Sequence, residues 1–405
     1  MVSKSVLKSR AFFSIVVCFA LPMAMLLGAA TARAADKAPV LVGLDGEFGL
    51  ENSTSAQAIE LGLRTAIAEI NAAGGVLGGR PVELVTKDNR AILARSVANN
   101  AEFAAMPNLV AVFGGRFSPL VQAQVPALNA AKLPYLAVWS AADPIINNDI
   151  RPNYLFRLSL RDSLAMPKLL QSAQTRGFES VGLLLVNTSW GKSSQDEAEK
   201  YIRSVKNQKI VATTWFYPRD TTLINQYKAL TNAGARAVVM VANNQEASVL
   251  VREVAALPLA QRVPIFSHWG VTGGDFAQQA GAAMQDVDFS VIQTFSFFNA
   301  DKQMLARFMK TAGQTGGIKR IEDIQAPVGV AHAYDLMHIL AKAINLAGTT
   351  ERSAIRDALE KVPEHRGLIK LYKPPFSPAR HEALGSAELL MARYNREGVL
   401  LPAQK

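Results

Sequence analysis

The sequence predicts an α/β protein built from two doubly wound lobes with parallel sheets, which three hinge crossings join. Buried strand-like runs alternate with amphipathic helical patterns along most of the chain, as in parallel sheets that helices cover on both faces. The 405 residues are too many for one ordinary core, so two lobes are expected. The alternation pauses at RPNYLFRLSLRDS, which begins at Arg151, and then restarts. This pause indicates the first crossing between the lobes.

Two later stretches predict the other crossings. The chain is expected to cross back at DVDFSVIQTFSF and to cross a third time at LYKPPFSP, before a last strand, ELLMARYN. The first lobe then contains residues 36–157 plus 290–370, and the second contains residues 158–289 plus 371–405. No short sequence repeat accompanies this division, so we expect the duplication in the topology alone.

Helices are predicted where apolar residues recur every three to four positions. In the first helix Ala58, Ile59 and Leu63 follow this spacing, and the glycines of NAAGGVLGG supply the left-handed turn that ends it. Ser118-Pro119 has the hydroxyl cap and following proline that are typical of a helix start. The predicted helices span residues 53–73, 91–106, 118–131, 195–205, 225–233, 246–256, 302–314, 328–347 and 352–361.

Strands are predicted where short apolar runs end in turn residues. The predicted strands are PVLVGLDGEFG, VELVTKDN, AVFGG, YLAVW, VGLLLVN, IVATTWFYP, AVVMVAN and VPIFSHWG.

The first 34 residues have the pattern of an export signal that is cleaved. Basic residues come first, an apolar run over 11–30 follows, and Ala32-Arg33-Ala34 then matches the small-x-small site of a signal peptidase. An uncleaved anchor is the alternative, because twenty apolar residues can span a bilayer. Pro22 interrupts the run and no basic cluster follows it, which favours cleavage. The one cysteine, Cys18, lies inside the signal, so we expect neither disulfides nor a lipid anchor in the mature chain.

The charge of the chain gives no sign of nucleic-acid binding. Loss of the signal with its four basic residues would lower the net charge from +10 to +6. The remaining lysines and arginines are scattered among acids, as on a solvated surface, and are not massed on one stripe. We therefore expect no nucleic-acid partner.

Motifs for cofactor, metal or catalytic chemistry fail on position or spacing. GGVLGG follows a helix and precedes a strand, the reverse of the order in a dinucleotide-binding fingerprint, and GGRFSP lacks the third glycine and the lysine of a phosphate-binding loop. His332 and His338 are six positions apart, which does not place both on one helix face. No GxSxG elbow occurs. We expect no cofactor and no metal, and an exported hydrolase using Ser118 is the least favoured function.

In doubly wound sheets small ligands bind beyond the carboxyl ends of the strands. Ser118 follows AVFGG there, and the turn Ser140, Ala141 and Ala142 follows YLAVW. These residues are predicted ligand contacts in the first lobe, together with Phe48 after the first strand.

The second lobe offers contacts at equivalent positions. Asn243 and Asn244 end AVVMVAN, and Trp269 follows VPIFS in a His-Trp-Gly turn, where its side chain would face the cleft. The asparagines could also be turn residues. Trp139 and Trp190 could line the cleft, although a core position is the more common one for an aromatic side chain.

Several motifs together resemble the leucine/isoleucine/valine-binding family of periplasmic receptors for ABC transporters. They are LVGLDGEFG, AEINAAGGVLGGRPVELVTKDN, GGRFSP, WSAADP, YLFRLSLRDS and FSPARHEALGSAELLMARYN. The resemblance covers nearly all of the mature sequence. It implies two lobes that close on a small solute, a periplasmic location and an inner-membrane ABC permease as the partner.

Two positions depart from the pattern of family members that bind α-amino acids. Those members hold the ligand carboxylate with a serine, kept here as Ser118, and with a hydroxyl residue where this chain has Ala142. An acid that pairs the ligand ammonium is replaced by Trp269. A buried ammonium without a partner is costly, so we expect a solute without a primary ammonium unless Asp45 or Glu47 substitutes for that acid.

The sequence therefore predicts a monomeric, non-enzymatic receptor that captures a small polar organic solute, amino-acid-like but without a standard α-ammonium, such as an acid or an amide, and delivers it to an ABC permease. A sensory protein that reports occupancy to a membrane receptor is the alternative from another class.

Overall fold

Two sheets with the same strand order form the frame of the molecule. The structure is a computed structural model that describes residues 38–403, and the predicted export signal at 1–34 lies outside these residues. The strands of the first sheet are β1 (Val40–Gly46), β2 (Val82–Asp88), β3 (Leu109–Gly114), β4 (Tyr135–Ala137) and β5 (Leu155–Arg157). They lie in the order β2-β1-β3-β4-β5, and every neighbouring pair is parallel.

The second sheet repeats this order. The remaining strands are β6 (Ser180–Val186), β7 (Lys209–Phe216), β8 (Ala237–Val241), β9 (Ile265–Ser267), β10 (Phe289–Gln293), β11 (His365–Arg366), β12 (Leu371–Tyr372), β13 (Leu390–Tyr394) and β14 (Leu400–Pro402). The strands β7-β6-β8-β9-β10 are parallel, and β13 and β14 extend the sheet in antiparallel pairing. β11 and β12 pair only with each other. The duplication expected in topology is therefore confirmed.

Eleven α-helices in the described part of the chain cover the sheets and their edges. They are α1 (Ser55–Ala72), α2 (Leu93–Ala105), α3 (Ser118–Ala130), α4 (Asp162–Thr175), α5 (Ser189–Ser204), α6 (Ile224–Asn232), α7 (Asn244–Ala255), α8 (Phe276–Ala280), α9 (Lys302–Gly316), α10 (Pro327–Ala347) and α11 (Arg352–Leu359). Eight of them agree with the predicted helices to within two residues at each end. The predicted helix 195–205 began one turn and a half too late, and α4 and α8 were not predicted.

The longest helix, α10, returns the chain to the first lobe. It packs along α1, and α9 also packs against α1. At Gly62 the two long helices approach so closely that an added Cβ would lie 2.2 Å from the carbonyl oxygen of Val330, so glycine is required there. The last described strands, β13 and β14, belong again to the second sheet.

The chain thus passes between the sheets after β5, after β10 and before β13. The predicted division at residue 290 falls inside β10, which pairs with β9 and β13 in the second sheet. The lobe ranges 36–157 plus 290–370 and 158–289 plus 371–405 remain our proposal for how the chain divides.

His332 on α10 joins three parts of the fold. Its Nδ1 lies 2.9 Å from the carbonyl oxygen of Val138, just beyond β4, and its Nε2 lies 2.8 Å from the hydroxyl of Thr294, just beyond β10. Nδ1 must donate to the carbonyl, so Nε2 of the neutral ring accepts the hydroxyl proton. Burial lowers the pKa of His332 to about 4, because the charged ring would lose its hydration.

His332 should therefore make the fold sensitive to acid. Its folded-state pKa lies below the unfolded value of about 6.5, so its contribution is complete above that pH and is lost as the pH falls towards 4. We expect the free energy of unfolding of the native protein to fall, relative to that of His332→Gln, by up to about 3 kcal/mol over this range. Urea unfolding at a series of pH values measures the difference. Parallel curves for the two proteins would contradict the assignment.

Candidate functional site

The carboxyl ends of both sheets border one cavity of about 290 Å³. Its wall comes from the segments that follow β1, β3 and β4 in the first sheet and β6, β7, β8 and β9 in the second. In sheets of this strand order ligands bind where the winding direction reverses, outside the first and third strands. A larger cavity of about 620 Å³ is lined by parts of 272–285, 296–298, 321–327 and 394–400, away from those strand ends. The smaller cavity is therefore the candidate site.

Ser118 presents a hydroxyl donor to this cavity. Its Oγ accepts hydrogen bonds from the backbone N–H groups of Ala141 at 3.1 Å and Ala142 at 3.2 Å. Because a hydroxyl has two lone pairs and one proton, both lone pairs are used and the proton remains for another acceptor. The prediction that Ser118 caps the helix is wrong: α3 begins at Ser118 itself, after Phe117, without a side-chain cap.

The turn that holds Ser118 is fixed from behind by Arg157. The guanidinium of Arg157 donates to the carbonyl oxygens of Ser140 at 3.1 Å and Ala142 at 2.9 Å. Its other side pairs with Glu382, with Nε 2.9 Å from the carboxylate, and both side chains are buried. A paired buried charge of this kind is costly to break, so the turn has little freedom to move.

Arg116 bridges the lobes at the edge of the cavity. From the loop after β3, its terminal nitrogens donate to the carbonyl oxygens of Gly270 at 3.2 Å and Gly273 at 2.8 Å, and to the side-chain oxygen of Asn244 at 2.7 Å. On its own lobe it donates to the hydroxyl of Ser53 at 2.9 Å. These contacts can exist together only when the two lobes meet.

No carboxylate among residues 38–403 forms a direct hydrogen bond or ion pair with Arg116. Glu47 approaches it only through the hydroxyls of Ser53 and Ser55, which donate to its carboxylate. Burial lowers the pKa of Arg116, and the charges of Glu47 and Glu246 oppose that shift. Arginine nonetheless stays protonated in proteins. Its Nε is buried without a hydrogen-bond partner, so the cavity edge carries an incompletely satisfied cation.

Three tryptophans supply apolar surface to the same cavity wall. The rings of Trp139 and Trp269 lie 5.7 Å apart between centroids, and Trp190 completes the surface. His268 positions the wall: its Nδ1 accepts from the backbone N–H of Trp269 at 2.9 Å, and its Nε2 lies 3.1 Å from the carboxylate of Asp162. Trp139 and Trp190 are thus both buried and part of the cavity wall.

Three helices begin at the cavity and direct their positive ends towards it. They are α3 at Ser118, α5 beside Thr188, and α7 at Asn244. The hydroxyl oxygen of Thr188 is buried without a hydrogen-bond partner. Helix starts collect unpaired N–H groups and favour anions, so the site is arranged for an acceptor group on its ligand.

One acid on the second lobe belongs to the wall. Glu246 lies in the first turn of α7 and accepts the backbone N–H of Arg219 at 2.8 Å. Asp45 and Glu47, suggested as partners for a ligand ammonium, are buried elsewhere. Asp45 accepts from Asn99 at 2.7 Å, and Glu47 is held by its two serines. Neither lies in the cavity wall.

The structure brings five of the eight predicted contact residues to this cavity. They are Ser118, Ala141, Asn243, Asn244 and Trp269. The other three lie outside its wall. Phe48 is half-buried beside Gly46, the hydroxyl of Ser140 donates to the carbonyl oxygen of Gly115, and Ala142 is fully buried in the core.

Sequence reasoning missed Arg116 and Glu246. Arg116 stands inside the GGRFSP turn, two residues before Ser118, and a lone arginine between a buried strand and a helix start is a usable signal. Glu246 had no such signal, because an acid in the first helical turn is common on any helix.

Within residues 38–403, no helix is long and apolar enough to cross a membrane. No group of three or more His, Cys, Asp or Glu residues in that range could hold a metal ion.

Two doubly wound lobes with a cavity at their facing edges define a solute-binding protein of the periplasmic type. The model of the family described as "Periplasmic binding protein" matches residues 37–395, and the chain belongs to this family. The homologues are solute-binding proteins of ABC transporters. The Leu/Ile/Val-binding protein homolog 7 of Brucella melitensis is 26% identical over 240 residues, 57% of this chain and 58% of that protein. The alignment therefore spans less than two thirds of that relative.

Solved structures show the same fold at low sequence identity. A periplasmic binding protein type 1 from Bordetella pertussis has a TM-score of 0.79 at 20% identity, over 90% of this chain and 100% of that one. The LivJ protein of Streptococcus pneumoniae in complex with isoleucine has 0.74 at 22%, over 90% and 100%. A solute-binding protein from R. palustris in complex with 4-hydroxybenzoate has 0.77 at 18%, over 91% and 96%.

The contacts of Arg116 predict that it controls closure. In Arg116→Gln the closed form would lose the donor to the carbonyl oxygen of Gly270 and the contact with Asn244, and each loss costs about 1–3 kcal/mol. The carbonyl oxygen of Gly273 would keep the backbone N–H of Thr54 as a donor. We expect the ligand-free variant to have a larger radius of gyration in small-angle X-ray scattering. Arg95→Gln, at an exposed site on α2, is the matched control. Identical scattering of all three proteins would contradict this role.

Proposed function

We propose that this protein is a periplasmic receptor that captures a small organic acid between its lobes and delivers it to an inner-membrane ABC permease. The observation that carries the proposal is the free hydroxyl proton of Ser118, which lies in a cavity with the Arg116 cation at its edge and tryptophans in its wall. The proposal includes cleavage of the export signal, and we expect the receptor to act as a monomer.

The polar side of the cavity favours a carboxylate as the head of the ligand. Ser118 offers a proton, three helix starts offer their positive ends, and Arg116 adds a full charge. All of these groups favour a negatively charged acceptor. A neutral amide would use the hydroxyl but gain little from the charge of Arg116.

The apolar side favours a flat or branched hydrocarbon body without an ammonium group. Trp139, Trp190 and Trp269 supply aromatic surface, and a cavity of about 290 Å³ is at the small end of the range for ligand sites. Glu246 is the one carboxylate of the second lobe in the wall, and it is already bonded to the backbone of Arg219. The relatives include one complexed with isoleucine and one with 4-hydroxybenzoate. We expect the ligand of this chain to resemble 4-hydroxybenzoate, which has no ammonium group, more than isoleucine.

A sensory receptor remains the second candidate, since the same cavity could report occupancy to a membrane protein. A hydrolase has less support. Among the described residues Ser118 exchanges hydrogen bonds only with the backbone of Ala141 and Ala142, so no base is in place to activate it as a nucleophile.

The ligand class can be tested with a matched panel. We expect benzoate, 4-hydroxybenzoate or isovalerate to raise the melting temperature of the mature protein, because a ligand that binds only the folded form stabilises it. Leucine, valine and benzamide should have little effect. Differential scanning calorimetry measures the shifts, and titration calorimetry then measures the affinities.

The variant Glu246→Gln tests whether the ligand carries an ammonium group that pairs with Glu246. It should leave acid binding unchanged if the ligand carries no ammonium. Tight binding of leucine that Glu246→Gln abolishes would contradict the proposed ligand class and make Glu246 the ammonium partner.

Transport can be tested in cells from which the gene has been deleted. Uptake of the radiolabelled acid that binds best should be lost, and the native gene should restore it. Ser118→Ala should bind about 10–100-fold more weakly, because it loses a hydrogen bond to a charged group, and should restore uptake poorly. Ser204→Ala, at an exposed site on α5, is the matched control. Undiminished uptake in the deletion strain would favour the sensory role.

A further inference from the structure

A second polar pocket lies at the hinge, outside the cavity described above. It has a volume of about 160 Å³, and its wall includes Arg151, Arg161, Arg356, Arg380 and Glu382. We call it the hinge pocket. These five residues come from the loop before β5, the start of α4, the helix α11 and the segment before β13. Four guanidinium groups from separate parts of the chain thus border a single small space.

The hinge pocket lies where two of the crossings run side by side. The backbone N–H of Arg157 donates to the carbonyl oxygen of His381 at 2.8 Å, and that of Ala383 donates to the carbonyl oxygen of Arg157 at 2.9 Å. One crossing leads from β5 to the second lobe, and the other leads back to β13. A ligand in the hinge pocket would contact both segments.

The carboxylates near the hinge pocket already form ion pairs with arginine side chains. Glu382 forms its close ion pair with the fully buried Arg157, and Arg161 reaches the same carboxylate only at 3.9 Å. Arg356 donates to Asp357 and Glu360. The carboxylates of this region are therefore paired mainly with Arg157 and Arg356.

Two guanidinium groups in the hinge pocket, those of Arg151 and Arg380, have no carboxylate partner within residues 38–403, and Arg161 has only that of Glu382 at 3.9 Å. Arg151 donates to the carbonyl oxygens of Asn148 and Ile150, and Arg380 donates to the backbone carbonyl oxygens of Pro374, Pro375 and Glu382. Such bonds satisfy N–H groups but leave the charge uncompensated. The Nε of Arg161 is buried and has no hydrogen-bond partner at all.

The arrangement suits an oxyanion better than water. Like charges that line one small space repel one another, although water screens those of the exposed Arg151 and Arg380. A bound anion would remove the repulsion, and arginine forks match the oxygens of phosphate or sulfate. A volume of about 160 Å³ is several times that needed for one water molecule, which is enough for one tetrahedral oxyanion. We propose that the hinge pocket binds a small oxyanion, independently of the ligand between the lobes.

Inorganic phosphate is the probe for a first test. The mature protein, purified without phosphate, should show saturable binding in titration calorimetry at fixed ionic strength, and sodium chloride at the same ionic strength should not compete. Arg161→Gln and Arg380→Gln should each weaken phosphate binding by about tenfold or more. Arg203→Gln, at an exposed site on α5, should bind phosphate like the native protein. Arg151→Gln, at an exposed position in a loop, replaces Arg161→Gln if that variant fails to fold.

A crystal soaked in selenate locates the anion directly. The expected result is an anomalous peak beside Arg161 and Arg380. Phosphate heats that chloride reproduces, binding unchanged in the variants, or a selenate peak only between the lobes would overturn the proposal. None of these outcomes bears on the receptor function, which the organic-acid panel tests separately.

Discussion

The site depends on a buried cation that one lobe supplies and the other lobe completes. Arg116 leaves the first sheet after β3, yet its nearest carbonyl partners, Gly270 and Gly273, belong to the loop after β9. An added Cβ at Gly273 would lie 2.6 Å from the guanidinium carbon. Only glycine therefore leaves enough room for the side chain of Arg116 there. Because this charge is buried at the edge of the cavity, closing the lobes desolvates it, and an anion in the cavity would offset that cost.

Ser118 and the helix starts add donors and positive potential to the cavity, and the carboxylates of Glu51 and Glu246 also belong to its wall. Ser118 has both lone pairs occupied by the backbone of the 141–142 turn, so it can only donate, and the helix starts from both lobes add positive potential. The tryptophans add apolar surface to the same wall. Under the proposed function, these groups would orient a small acid with its carboxylate towards Arg116 and would bind a neutral molecule of equal shape more weakly.

Much of the fold could be predicted from the sequence, because buried parallel strands and amphipathic helices leave strong local patterns. The start of α4 was hidden by the polar stretch RPNYLFRLSLRDS and by Pro167 inside the helix. The site was less predictable, since its contacts join residues far apart in the chain. Arg116 meets partners more than 150 positions away, and Ser118 was interpreted locally, as a helix cap, although its real partners lie in the next turn along the sheet edge.

A crystal structure of the mature protein with the acid that binds best would show directly how the cavity holds its ligand. We expect a carboxylate oxygen of the ligand within hydrogen-bonding distance of Ser118 Oγ, close to the guanidinium of Arg116, with the hydrocarbon body against Trp269. A ligand whose ammonium group pairs with Glu246, or one that leaves Ser118 without a contact, would contradict it.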